Sequence, residues 1–163
     1  MAKTEVLGIG ALSDSFRELR TGMETRVGRA MVVAGGGVLK RRAKTNAIAQ
    51  GLKRTGALVR NIVIKREPQA PPGTDQYNLG VRHGRNLTRK QKSSSKLGVN
   101  AAGRIVKRYE DDPYYWRFAE LGSDKQDATP YLAPALAEGK QETIDAMAAR
   151  LEKEHQKASK GRA

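Results

Sequence analysis

The chain has no cysteine among its 163 residues, which excludes disulfides, thiolate zinc sites and thiol nucleophiles. It has only two histidines, His83 and His155, and neither has ligand or nucleophile partners at suitable spacing. Long hydrophobic runs are also missing, since the longest, residues 30–39, has ten residues and is too short to cross a bilayer. The chain begins without an apolar signal segment. We therefore expect surface histidines, no metal or other cofactor, and no membrane partner.

Patterns that would indicate catalysis are scarce as well. Glu120 and Asp124 have no further titratable groups around them that would form a cleft. The run Gly35-Gly-Gly37 lacks the Gly-Lys-Ser/Thr ending of a phosphate loop and follows a helical pattern rather than a strand. The acidic run Glu110-Asp-Asp112 precedes a proline, which favours a turn and a helix cap over a cation site. The sequence predicts a protein that is not an enzyme.

Acidic residues are almost absent from the middle of the chain. Residues 25–109 hold 20 Lys and Arg against two acids, a net charge of +18, whereas residues 1–24 carry −1 and residues 110–163 carry −3. A block this one-sided repels itself unless a polyanion or counter-ions neutralise it. Nucleic acid is the first candidate partner, because phosphate binding releases condensed counter-ions. The alternatives are a solvated basic surface and docking on an acidic neighbouring subunit.

Apolar residues at three- and four-residue steps predict a helical N-terminal region over residues 12–49. We expect a short helix near residues 12–20, capped by Ser13 or Asp14, and a longer one near 22–49. The glycines at 35–37 lie inside the second helix and indicate a break or a tight contact with another backbone, within one subunit or between subunits.

A sheet region is predicted over residues 56–109. The β-branched residues 59–65 and the alternating residues 76–83 predict a hairpin with a long connection. Residues 84–103 are rich in Arg, Lys, Ser and Asn, and we interpret them as a basic arm, either a flexible loop or the tip of a long hairpin. Its flanks, residues 78–83 and 104–109, are candidates for paired strands.

The only tryptophan lies in a compact aromatic segment that predicts a short helix over residues 114–121, ended by Gly122. In such a helix Tyr115, Phe118 and Ala119 share one side, and Trp116 and Glu120 share another. Either both sides pack in a core, or one of them meets another subunit. Pro134 fits the first turn of a C-terminal helix over residues 133–156. We expect one α+β domain spanning residues 1–163, with N-terminal helices, a small antiparallel sheet bearing the basic arm, and the C-terminal helix packed on the sheet.

The basic arm supplies the candidate nucleic-acid-binding residues. Spaced Lys and Arg side chains on such a segment can reach phosphates without reading bases, and the arm has no aromatic residue for stacking on single strands. No helix-turn-helix or zinc-finger pattern is present. We expect non-specific, salt-sensitive contact with duplex DNA by Arg82, Arg85, Arg89, Lys90, Lys92, Lys96 and Arg104.

Several motifs occur in an order that resembles a known family. Thr55-Gly-Ala-Leu58 is expected to start the first strand, the aromatic run leads into Glu120-Leu-Gly-Ser123, and Pro130-Tyr-Leu-Ala-Pro-Ala-Leu136 opens the C-terminal helix. This order is similar to that of phage tail-completion and neck proteins of the minor-tail-protein-Z type, which carry Glu-Phe-Gly-Thr and Pro-Phe-Leu-(Arg)-Pro-Ala-Leu. The resemblance covers residues 12–155, with the basic arm as an insertion. It marks as assembly or structural residues Thr55, Gly56, Leu58, Trp116, Phe118, Glu120, Gly122, Pro130, Tyr131 and Pro134.

The resemblance implies a structural virion protein of a long-tailed phage. Such a protein is made in the host cytoplasm and acts at the head–tail junction as a homo-oligomeric ring, a hexamer by analogy, in contact with other neck and tail proteins and with phage DNA. Two alternatives stay open: a free basic nucleic-acid-binding protein of architectural type, and another virion ring component such as a tail terminator or a head-closure subunit.

Overall fold

The computed structural model describes residues 9–71 and 74–160, and side-chain surroundings between residues 25 and 157 of those ranges. Within them the chain is an α+β structure, as predicted, with six helices, one 3-10 turn and two small antiparallel sheets. In chain order the elements are α1 (Ile9–Ala49), α2 (Ala57–Asn61), β1 (Ile62–Arg66), β2 (Tyr77–Val81), a 3-10 turn (Gly84–Asn86), α3 (Arg89–Ser93), β3 (Ser95–Val99), β4 (Ile105–Tyr109), α4 (Trp116–Leu121), α5 (Leu132–Glu138) and α6 (Lys140–Lys160).

The N-terminal region is one helix of 41 residues, not the two helices expected. It begins at Ile9, so Ser13 and Asp14 lie within it and not at its start. Interior glycines cost a helix only about 1 kcal/mol each, and packing of its apolar side offsets that cost. The side chains of residues 9–24, which include the first part of the apolar pattern, lie outside the described residues.

Two of the three consecutive glycines in α1 mark close contacts inside the chain. A Cβ on Gly35 would lie 2.5 Å from Met147 Cε and 2.8 Å from Thr143 Cγ2 of α6. A Cβ on Gly36 would lie 3.2 Å from Ile64 Cδ1 of β1. Gly37 has nothing within 4 Å. The glycine run therefore lets α1 approach both α6 and the first sheet. Of the expected alternatives, this is the tight contact within one subunit.

The helix α1 is the centre of the packing. It contacts α5, α6, β1 and β2, so the element that lies against the first sheet is α1, and the C-terminal helix packs along α1. The core between them is built from small residues around three large side chains, Leu58, Ile62 and Tyr131, which are fully buried. The alanines Ala43, Ala47, Ala119 and Ala135 complete it.

The C-terminal segment divides into two helices rather than the single helix predicted over residues 133–156. The division falls at Gly139, which is buried against α1. A Cβ there would lie 2.5 Å from the carbonyl oxygen of Ala135 and 2.8 Å from Leu39 Cδ2. Pro134 is the third residue of α5, inside its first turn as expected.

The segment predicted as the first strand, residues 59–65, begins with helix α2 and becomes strand only at Ile62. Gly56 precedes α2 with φ 70°, a left-handed conformation that suits glycine. The buried Asn61 fixes the end of α2, because its Nδ2 donates to the carbonyls of Ala57 (3.0 Å) and Asp111 (2.8 Å). Tertiary contacts thus override the β-branched pattern. Thr55-Gly-Ala-Leu58 starts a helix, not a strand.

The strands pair in two separate hairpins. Strand β1 pairs antiparallel with β2, with Ile64 opposite Leu79. This is the predicted hairpin with a long connection. Strand β4 pairs with β3, with Lys96 opposite Arg108. The expected pairing of residues 78–83 with 104–109 is wrong, because β3, which lies within the basic arm, is the partner strand of β4.

Candidate nucleic-acid interface and assembly motif

The basic arm is an anchored structure rather than a flexible loop. Leu87 is buried, and the backbone N–H of Gly84 donates to Asp112 Oδ1 at 3.1 Å. Thr88 and Gln91 form a capping box that opens α3. Gln91 then donates to Asn61 Oδ1 at 2.9 Å, which ties α3 to the end of α2. The arm therefore presents its charges from fixed positions.

Four of the seven predicted DNA-binding residues gather on this anchored part of the arm. Arg85 lies in the 3-10 turn, and Arg89, Lys90 and Lys92 lie on α3; all four are exposed. Lys92 Nζ donates to the Arg85 carbonyl at 2.7 Å, which holds the turn against the helix. Within the part of the chain that the structure describes, Arg85, Arg89 and Lys90 have no carboxylate partner, so their charge is uncompensated.

The other three predicted residues stand apart from this group. Arg82 is half-buried at the end of β2. Lys96 pairs with Glu110 across the second hairpin, and the hydrogen bond that its ammonium donates to that carboxylate raises the pKa of Lys96. Arg104 lies beyond the far end of the hairpin, about 13 Å from Lys96 at about 3.3 Å per residue along a strand. The structure thus brings together one cluster of cations and leaves Arg104 at the tip.

The second hairpin has two different faces. Cross-strand partners lie on the same face of a two-stranded sheet. Lys96 and Arg108 therefore share one face with Gly98, and Arg108 lies across Gly98 to donate to the carbonyl of Val99 at 2.9 Å. The opposite face carries Leu97, Val99 and Ile105. Their exposed fractions are 74%, 58% and 75%, so nothing in the described chain covers them.

Sequence reasoning missed that apolar face. The alternation that reveals it was present, because Leu97 and Val99 are two residues apart in one strand and Ile105 and Tyr109 are four residues apart in the next. The surrounding Lys, Ser and Gly residues made the whole segment resemble a disordered arm. The anchoring residues Asn61, Gln91 and Asp112 were missed as well, and no sequence signal identifies such long-range partners.

The acidic run after the hairpin was expected to cap the next helix, but it does not cap α4. Glu110 pairs with Lys96, Asp111 accepts a hydrogen bond from Arg60, and Asp112 accepts the Gly84 N–H. The three carboxylates therefore hold three different segments. Among the described residues, no group of three or more His, Asp or Glu is placed to hold a metal ion.

The motif around Glu120 forms one interlocked unit. The Glu120 carboxylate accepts the first three N–H groups at the start of α5, from Tyr131 (2.9 Å), Leu132 (3.0 Å) and Ala133 (2.9 Å). Such orphan donors and the positive end of the helix both favour a carboxylate. Gly122 ends α4 with φ 77°, and a Cβ there would lie 3.0 Å from the Ala128 nitrogen. The connection between α4 and α5 therefore requires glutamate at position 120 and glycine at position 122.

The same unit is fastened to α1 and to the core. Gln50 Nε2 donates to the Pro130 carbonyl at 2.7 Å, and Asn46 Nδ2 donates to the Tyr131 carbonyl at 3.4 Å. Tyr131 is fully buried, its hydroxyl has no described partner, and burial raises the pKa of its phenol. Thr55 and Gly56 belong instead to the turn before α2, where Thr55 Oγ1 accepts the Ala57 N–H.

The aromatic residues at and around α4 divide between core and surface. Tyr115 and Ala119 from one side and Trp116 from the other pack against the core, as the two-sided alternative predicts, while Phe118 is exposed. His83 is half-buried with its ring centroid 5.8 Å from that of Trp116, whereas His155 is exposed as expected.

Comparison with protein-family models, with curated proteins and with solved structures finds no match for this chain. Among the described residues, none of the helices is long and apolar enough to cross a membrane.

Proposed function

We propose that this protein is a structural virion protein of a long-tailed phage, a tail-completion or neck component that assembles as a ring around the DNA passage. The observation that carries the proposal is the anchored cluster Arg85, Arg89 and Lys90, whose charges have no carboxylate partners in the described chain. A ring subunit beside DNA needs such charges, held in place and free to meet phosphate oxygens.

The motif resemblance supports the same proposal. Its two most distinctive pieces, Glu120-Leu-Gly-Ser123 and Pro130-Tyr-Leu-Ala-Pro-Ala-Leu136, are the two halves of the hydrogen-bonded unit at the start of α5. A motif that serves to set the angle between two elements suits a subunit whose role is to present surfaces to neighbours. In this proposal the expected partners are other copies of the chain, neck and tail proteins, and DNA.

The virion assignment is tested by deleting the gene from the phage genome that encodes it and imaging the lysate by electron microscopy. We expect separate heads and tails or defective tails, and rescue by the wild-type protein supplied in trans. Normal particles from the deletion would overturn the assignment. A reconstruction of intact particles gives the copy number and distinguishes a neck ring from a tail terminator or a head-closure ring.

The DNA contact is tested with purified protein. Replacing Arg85, Arg89 and Lys90 with Gln should lower the slope of log affinity against log salt concentration by about three, at about 0.9 per phosphate contact. A matched control replaces three exposed basic residues elsewhere, Lys53, Arg54 and Lys125, and should keep the wild-type slope. Equal slopes for the two triple variants would overturn the role of the cluster.

The second candidate function, a free architectural nucleic-acid-binding protein, is favoured by the net charge of +14. It predicts tight, salt-dependent duplex binding by a monomer or dimer and normal particle assembly after deletion. The deletion experiment therefore separates the two functions, because both of them predict the same salt dependence for the cluster variant.

A further inference from the structure

Two of the exposed apolar surfaces in the described chain have charged residues of opposite sign beside them. The first is the hairpin face of Leu97, Val99 and Ile105, described above. The second lies on α6, where Ile144, Ala148 and Leu151 recur at helical spacing. Ile144 and Leu151 are 57% and 47% exposed, and this stripe lies to one side of the residues, such as Met147, that face α1.

The hairpin is the basic partner of the pair. Residues 95–109 contain four Lys and Arg and no acid. Lys107 lies directly opposite Leu97, on the apolar face itself, and has no described ion pair. An isolated two-stranded hairpin is marginally stable in water, and exposed Leu, Val and Ile side chains on it indicate a surface that docks on another protein.

The α6 stripe has acidic residues along one edge. Asp145 and Glu152 form that edge at the same helical spacing as the apolar residues, and no Lys or Arg lies in their row. Lys140 lies one turn before Ile144, at the start of the row that holds the stripe itself. Glu152 is exposed without a described partner, and Asp145 accepts one hydrogen bond from Gln141. A basic apolar surface placed here would find both complementary charge and apolar contact.

The other exposed apolar group does not suit the hairpin as well. Tyr114, Phe118 and Leu121 lie around α4, but Arg117 lies within that group on the same short helix and would repel Lys107. Duplex DNA suits the cation cluster on α3 but offers nothing to an apolar strand face. Charge and polarity together therefore select the α6 stripe.

We infer that the apolar face of the β3–β4 hairpin docks on the Ile144–Leu151 stripe of α6 in a second copy of this chain. The inference rests on the proposed ring, for which it names the contact between neighbouring subunits. Because donor and acceptor surfaces differ, the contact is heterologous, and repeating it gives a closed ring or an open filament. The docked hairpin would keep its Lys96 and Arg108 face directed away from the neighbour.

The absence of natural cysteine makes the contact directly testable by disulfide trapping. Leu97→Cys protein is mixed with Leu151→Cys protein under mild oxidation, and each variant is also oxidised alone. We expect a linked dimer in the mixture and none from Leu97→Cys alone. Lys125→Cys, at an exposed position away from both surfaces, is the background control in place of Leu151→Cys.

Three results would overturn the contact: a mixture no more linked than the control, equal linkage of Leu97→Cys with itself, or preferred linkage of Leu97→Cys to Phe118→Cys. Protection of Leu97→Cys from a thiol reagent by duplex DNA alone would also do so. The phage deletion is judged separately, so a virion role can survive the loss of this contact.

Charge exchange gives a second measurement that does not depend on cysteine. Lys107→Glu and Glu152→Lys should each weaken association several-fold in sedimentation velocity, and the double variant should recover toward the wild type. A double variant as weak as the sum of the single variants would contradict the pairing, as would a wild-type chain that stays monomeric at every concentration tested. Circular dichroism of each variant checks that the fold is retained.

Discussion

The Glu120 carboxylate accepts the backbone N–H of Tyr131 at 2.9 Å and so fixes the start of α5 relative to the end of α4. The same carboxylate accepts two more N–H groups, which no other described side chain reaches. Next to this bond, Thr129 N donates to the Ala119 carbonyl at 2.8 Å. The intervening residues are therefore closed into a loop whose two ends are set by hydrogen bonds.

Replacing Glu120 with Ala should lower the free energy of unfolding by about 2 kcal/mol, because hydrogen bonds to a charged group contribute about 1.5–3 kcal/mol. The free energy of unfolding of Glu120→Gln should lie between those of the wild type and Glu120→Ala, since the Gln amide oxygen accepts hydrogen bonds without the charge. Urea unfolding followed by fluorescence of Trp116, the only tryptophan, measures both at one protein concentration. Asp127→Ala, at a nearby exposed carboxylate, is the control and should match the wild type; a Glu120→Ala variant that also did so would contradict the capping role.

The Glu120 unit shows how far a sequence can predict structure. Its helix α4, the stop at Gly122 and the placement of Pro134 follow from local patterns, and all three are confirmed. The partner of Glu120 could not be predicted, because the carboxylate reaches N–H groups eleven to thirteen residues away. Local signals identify the elements, and only the fold identifies the partners.

The errors have a common physical cause. Residues 59–61 have strand propensity but form a helix because Leu58 and Asn61 are buried by residues far along the chain. The first half of the basic arm lacks apolar periodicity, yet Leu87 and Gln91 anchor it through two contacts that leave no local pattern. The sequence predicted the basic residues as one set. Only the pairing of β3 with β4 shows that Lys96 and Arg104 lie apart from the cation cluster.

The glycine run in α1 makes a prediction with a built-in control. Gly35→Ala should destabilise the protein by about 1–3 kcal/mol, because the new methyl group overlaps Met147 Cε and Thr143 Cγ2. Gly37→Ala meets nothing within 4 Å and should stabilise the helix by about 0.5–1 kcal/mol. Thermal or urea unfolding of the two variants compares them directly.

A double variant tests whether the contact with Met147 causes the loss of stability in Gly35→Ala. Met147→Ala removes the nearest atoms, so Gly35→Ala with Met147→Ala should be more stable than the sum of the two single effects by about 1 kcal/mol. Simple additivity would mean that the Gly35 position acts through something other than α6.

Stability at low pH should depend on Glu154, which is buried on α6 beside three cations. Its carboxylate lies 3.3 Å from Lys157 Nζ, 2.8 Å from Arg150 Nη2 and 3.9 Å from Arg26 Nη2. The hydrogen bond from Lys157, with the charges of Arg150 and Arg26, lowers the pKa of Glu154 below its ordinary value of 4.5. The unfolded chain therefore binds a proton at higher pH than the folded chain does.

The sign of the pH effect follows from that difference. Stabilisation by Glu154 is fully present above the ordinary pKa and is lost as pH falls through the lower pKa of the folded state. We expect Glu154→Gln to be less stable than the wild type at pH 7 and to lose less stability between pH 5 and about pH 3. Glu152→Gln, an exposed acid on the same helix, is the control. A wild-type pH dependence in Glu154→Gln would contradict the assignment.

Tyr131 carries a hydroxyl that its site does not use. The side chain is fully buried and its oxygen has no described hydrogen-bond partner, which is costly for a polar group in a core. Tyr131→Phe keeps the ring and removes that cost, so the variant should be as stable as the wild type or more stable by about 1 kcal/mol.

The matched variant is Tyr131→Leu, which removes part of the ring volume and should destabilise the protein by about 2 kcal/mol or more through a cavity next to Leu58. Unfolding in urea gives both values. A large loss of stability in Tyr131→Phe would show that the hydroxyl has a partner in solution, such as a bound water molecule. The Tyr131 position would then belong to a polar network rather than to the apolar core that joins α1, α4 and α5.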